Sequence, residues 1–88
     1  MNYKELIKHH IENNGMSCQE IVDKMKMRGV KLDRSYISML KNGRKSPASD
    51  KVNIALAEVL GIDSAELRIA AVKEKISPDL YQLIKKIG

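Results

Sequence analysis

Asp33-Arg34-Ser35-Tyr36-Ile37-Ser38-Met39-Leu40-Lys41-Asn42-Gly43-Arg44-Lys45 is the stretch from which the rest of this 88-residue chain can be read. Asp33 is a helix N-cap residue, whose side chain can accept from a free backbone N–H of the first turn. Ile37 and Leu40 stand three apart and face one way. Gly43 accepts the left-handed conformation that closes a helix. The spacing therefore predicts a short helix from Arg34 to about Asn42. It is anchored by two apolar residues and followed by a basic loop, Arg44-Lys45-Ser46-Pro47.

The same punctuation recurs on both sides. A first helix is expected from Tyr3 to Asn14, with Tyr3, Leu6, Ile7, His10 and Ile11 on one face and Gly15 after it. Ser17-Cys18-Gln19-Glu20 fits a capping box opening a second helix with Ile21, Val22 and Met25 inside. That helix runs to Met27, and residues 29–32 form a loop. Beyond the quoted stretch, Ser49 caps a fourth helix, Asp50 to Leu60, with Val52, Ala55, Leu56, Val59 and Leu60 inside. Asp63 opens a fifth helix to about Lys75. Ser77-Pro78 opens a last one to Ile87. No segment alternates apolar and polar residues for long, and no internal repeat or low-complexity tract is visible. The expected fold is all-α, a compact bundle of five or six helices. The last helix carries Leu80, Leu83, Ile84 and Ile87, and either folds back onto the first helix or packs across a dimer.

Composition narrows the function classes. The net charge is +5 and the pI about 9.4. The excess is segmental: residues 24–45 hold Lys24, Lys26, Arg28, Lys31, Arg34, Lys41, Arg44 and Lys45 against Asp33 alone. A localised basic stripe points to a polyanion, most often nucleic acid. One Cys excludes an internal disulfide framework and fits a reducing compartment. No apolar run approaches a membrane span, and the N-terminal residues lack a signal-peptide core. A cytoplasmic protein without membrane contact is expected. His9 and His10 are adjacent and point about 100° apart on a helix, so they make no metal pair; His10 reads as a packing residue. Cys18 reads as a small side chain beside a cap. The absence of a phosphate loop, metal-ligand spacing or a pocketed acid pair leads us to expect no enzyme, metal or cofactor.

Three strings, Arg34-Ser35-Tyr36-Ile37-Ser38, Lys41-Asn42-Gly43-Arg44-Lys45 and Ala57-Glu58-Val59-Leu60-Gly61-Ile62, follow a capped helix at Ser17. In this order the chain resembles the helix-turn-helix family of phage repressors and Cro proteins, the Xre family, over about residues 3–70. The resemblance implies a lambda-repressor-like domain at 1–70 and a helical extension at 71–88 that could serve dimerisation. It implies a sequence-specific DNA-binding regulator of transcription, a repressor, of phage or mobile-element origin. The third helix would enter the major groove of double-stranded DNA. Arg34, Ser35, Ser38 and Met39 would contact bases, an Arg giving two hydrogen bonds to guanine and a Met touching a thymine methyl. Ser17, Cys18, Gln19, Tyr36, Asn42, Gly43, Arg44 and Lys45 would hold phosphates, through side chains, through backbone amides near Gly43 and through the second helix N-terminus. A homodimer is expected on a two-fold site. The alternative is an antitoxin or adaptor, a protein-interaction module of the same fold that uses the apolar last helix.

Two features depart from the family. Cys18 stands where the family usually has Gln, and a thiol is a poor phosphate donor. The connection between the second and third helices is about five residues longer than usual, with Lys24, Lys26, Arg28 and Lys31 in the added stretch.

Overall fold

A computed structural model describes residues 1–76 and 78–87, the side chains of Pro78, Asp79 and Tyr81 excepted. The chain is all-helical: α1 Tyr3–Asn14, α2 Cys18–Met27, α3 Arg34–Lys41, α4 Asp50–Leu60, α5 Ser64–Lys75 and α6 Pro78–Ile87. The capping role expected of Ser77 lies outside the described residues.

Caps explain the boundaries. Asn2 and Glu5 form a capping box, the Glu5 amide donating to Asn2 Oδ1 (2.9 Å) and the Asn2 amide to Glu5 Oε1 (3.0 Å). Ser17 and Glu20 form a second box. Asp33, Ser49 and Asp63 cap α3, α4 and α5 through side-chain oxygens. The long α2–α3 connection is largely ordered by its own closure. The Gly29 amide bonds Lys26 C=O (3.0 Å) and the Val30 amide bonds Met25 C=O (3.0 Å), with Gly29 at φ 79°. This is a Schellman closure, and its usual apolar contact is present: Val30 and Met25 both lie in the core. The added residues are thus part helix, part helix stop, rather than a free loop.

α1 packs against α3, α4 and α5; α2 packs against α3 and α4; α4 packs against α5. Leu6, Ile7, Ile11, Ile21, Met25, Ile37, Leu40, Leu56, Leu60 and Leu67 fill the centre with Tyr3. Val22, Val52 and Val59, expected inside, are half-buried at its margin. The expected division at 70/71 falls inside α5, where Ala70 and Ala71 are both buried.

α6 joins none of the packed pairs above, and Leu80, Leu83, Ile84 and Ile87 remain 47–87% exposed. Among the described residues α6 makes no packed pair with α1, so the expected fold-back onto α1 is not seen there. The radius of gyration, 13.3 Å, exceeds the roughly 12 Å of a compact chain this long, and the longest axis is 40 Å. Both values fit a helix that projects from the body.

One polar residue sits in the core. Asn53 is 1% exposed, and sequence periodicity gave no sign of it. Tyr3 Oη donates to Asn53 Oδ1 (2.6 Å) and accepts from the Ala48 amide (3.2 Å), while Asn53 Nδ2 donates to Ala48 C=O (2.9 Å). This closed triangle ties α1 to the α3–α4 loop and to α4. Burial pushes the Tyr3 hydroxyl up to about 12, against the lowering effect of the Ala48 N–H. The folded chain therefore keeps a proton that the unfolded chain releases near pH 10. The stability this group contributes is complete below pH 10 and falls as pH rises towards 12, by on the order of 2–3 kcal/mol. Urea unfolding of wild type and Tyr3→Phe at pH 9, 10, 11 and 12 measures it. The variant should lose less stability over this range; parallel pH profiles would contradict the assignment.

Candidate nucleic-acid interface

Ile37 (0% exposed) and Leu40 (1%) bolt α3 to the body. Both lie on one face, so the opposite face is left to solvent. Arg34 and Ser35 are exposed in the first turn. Ser38 and Met39, expected to be equally open, are half-buried. The physical reason is that α3 is only eight residues long and is flanked by α1 on one side and α2 on the other. Tyr36 is also half-buried, packed against the core, and burial raises its hydroxyl.

The loop after α3 gathers the other expected residues. Asn42, Gly43, Arg44 and Lys45 are all exposed. Their backbone is less available than the sequence suggests. The amides of Asn42, Gly43 and Arg44 bond the carbonyls of Ser38 (3.0 Å), Leu40 (3.3 Å) and Met39 (2.8 Å). They close α3 and have no hydrogen left for an external anion. Asn42 Nδ2 reaches Ser38 Oγ only at 3.5 Å, a weak bond.

At the start of α2 the Ser17 hydroxyl accepts from the Glu20 amide (3.1 Å), and the Ser17 amide donates to Glu20 Oε1 (3.4 Å). The Glu20 carboxylate thus stands where the helix dipole would draw a phosphate. Gln19 Nε2 donates to Asp23 Oδ1 (3.0 Å), and Cys18 packs half-buried against the core. The α2 N-terminus and the α3 end are therefore unequal: one carries a carboxylate, the other carries cations.

Sequence reasoning missed two residues beside the α3 end. Lys4, Lys8, Lys41 and Asn42, with Glu5, line one cleft between α1 and α3. Lys4 and Lys8 are four apart and so share a face of α1. The spacing was visible, but nothing in it says which helix that face meets. Two ion pairs stand out on the body. Arg28 meets Glu58 at 3.6 Å, and Arg68 holds Asp50 with two bonds of 2.7 and 3.0 Å. Of the eight basic residues between 24 and 45, Arg28 alone is ion-paired among the described residues. Among the same residues no His/Cys/Asp/Glu group could hold a metal ion, and no helix is long and apolar enough to cross a membrane.

Set against known protein families, curated proteins and solved structures, the chain matches none. The functional reading therefore rests on its own residues.

Proposed function

We propose that this protein is a sequence-specific DNA-binding regulator of transcription, of the helix-turn-helix repressor type, acting from the major groove through α3. The observation that carries the reading is the basic segment itself. Among the described residues seven of its eight cations have no ion pair, and Arg34, Arg44 and Lys45 stand exposed at the two ends of α3. Unpaired like charges repel one another, so their convergence fits an anionic partner. A B-DNA major groove is about 12 Å wide and admits one such helix. In this reading Arg34 and Ser35 meet base edges first, Ser38 and Met39 reach them from the flank, and Asn42, Arg44 and Lys45 meet phosphates through side chains. Two copies on a two-fold site would place half-site centres about 34 Å apart, or a multiple of that.

Fluorescence anisotropy with a labelled duplex tests the electrostatic part. Affinity should fall steeply with salt, because each neutralised phosphate releases counterions. Arg44→Gln/Lys45→Gln should lower the slope of log Kd against log salt by about two and weaken all duplexes alike. An unchanged slope would remove the loop from the interface.

A second reading, an antitoxin or adaptor, is favoured by one observation. Leu83, Ile84 and Ile87 of α6 are apolar and 51–87% exposed.

A further inference from the structure

We infer that the cleft between the N-terminal half of α1 and the end of α3 is a phosphate-binding site, filled by a backbone phosphodiester of the bound duplex. The DNA source rests on the proposed function; the affinity for phosphate does not.

Four observations converge on it. The cleft is lined by Lys4, Lys8, Lys41 and Asn42, and its one acid is Glu5. The Glu5 carboxylate already accepts from the Asn2 amide at 3.0 Å as half of the α1 capping box. None of the three lysines has an ion pair among the described residues. The Lys4 stem lies directly over Gly43: a Cβ built on that glycine would stand 2.7 Å from Lys4 Cδ and 3.6 Å from Lys4 Nζ. The Lys4 ammonium therefore hangs over the turn that ends α3. Gly43 serves twice here, by its φ of 72° and by leaving this space open.

The backbone makes the argument sharper. The amides of Asn42, Gly43 and Arg44 are all bonded within α3, so they cannot form an anion nest at this turn. An anion drawn here must be held by side chains, and those within the cleft are three ammonium groups and one carboxamide against the single Glu5 carboxylate. Ammonium groups on long stems suit a phosphate as point charges. A phosphate seated there would lie beside the C-terminal end of α3, on the DNA strand flanking the groove that α3 enters. α1, silent in the sequence reading, becomes a second element that fixes the register of α3 on DNA.

The test uses the full chain as wild type, Lys4→Gln/Lys8→Gln and Lys85→Gln/Lys86→Gln, the last removing the same charge from α6. Duplex affinity is measured across 50–300 mM salt. The Lys4/Lys8 variant should lower the salt slope by about one and weaken binding on the order of fivefold at 150 mM salt, while the α6 variant leaves the slope unchanged. A second arm titrates inorganic phosphate into labelled protein and follows backbone amide resonances. The signals of Lys4, Lys8 and residues 41–44 should move in wild type and stay still in the Lys4/Lys8 variant. If wild type binds no duplex yet these signals move, the phosphate site stands and the DNA reading falls. If duplex binds but neither the slope nor the phosphate-induced shifts respond to Lys4→Gln/Lys8→Gln, the site is overturned and the DNA reading stands. If wild type binds no duplex and these signals stay still, both fall.

Discussion

Replacing Asn53 by Leu is expected to lower the midpoint of thermal unfolding by roughly 10–25 °C. Leu has the branching and heavy-atom count of Asn and is somewhat bulkier, so it leaves no cavity and the loss comes chiefly from polar groups left unpaired. The change removes the 2.6 Å bond from Tyr3 Oη and the 2.9 Å bond to Ala48 C=O. Tyr3 and Ala48 are 2% and 3% exposed, so water cannot stand in for the lost partner. A buried polar group left unpaired costs about 1–3 kcal/mol, and two are affected. The Ala48 carbonyl keeps one further donor, Lys75 Nζ at 3.3 Å, which limits the loss on that side. Tyr3→Phe alone should cost less, and the double variant should be less unstable than the two single effects added, because each removes the other's partner. Circular dichroism melts of the three variants measure this. A shift below about 5 °C for Asn53→Leu, or simple additivity, would mean the triangle does not act as a unit.

The second large effect concerns specificity. Arg34→Ala is expected to weaken binding to the preferred duplex by 1–3 kcal/mol, or about 5- to 150-fold, and to relax the preference at one base pair. Arg34 is exposed, and no acid of this chain holds it among the described residues, so its five donors are open to a base edge. Binding to random duplex should change far less, because a base-reading side chain adds little to the phosphate term. Competition of preferred against random duplex separates the two. Equal weakening of both would make Arg34 one more phosphate contact.

Helix ends were the most legible part of this chain, because caps are local chemistry. Ser17, Asp33, Ser49 and Asp63 act over two or three residues, and glycines such as Gly15 and Gly61 stop helices by their own backbone freedom; the Asn2 cap of α1 was not read from the sequence. The core on α1 was legible for the same reason, since Tyr3, Leu6, Ile7 and Ile11 follow the helical period. What was not legible depends on which faces meet. Asn53 sits at a buried position of α4 because Tyr3 arrives there from fifty residues away. Lys4 and Lys8 belong beside α3 only because α1 crosses its C-terminal end. Val30 is core although it lies in what reads as a loop, since the closure of α2 turns it inward. The amides near Gly43 look free in sequence and are occupied in the fold. Charge was legible as a total and as a segment; the sorting of that charge between α2 and α3 was not.

Selection of binding sites from a randomised duplex library at about 150 mM salt, with sequencing of the bound fraction, decides whether α3 reads sequence. An inverted repeat whose half-sites lie one helical turn, or a multiple, apart should be enriched. A single enriched half-site would keep recognition through α3 and remove the dimer. No enrichment, in protein shown by its thermal melt to be folded, would contradict sequence-specific DNA binding and shift the assignment to a protein partner at α6.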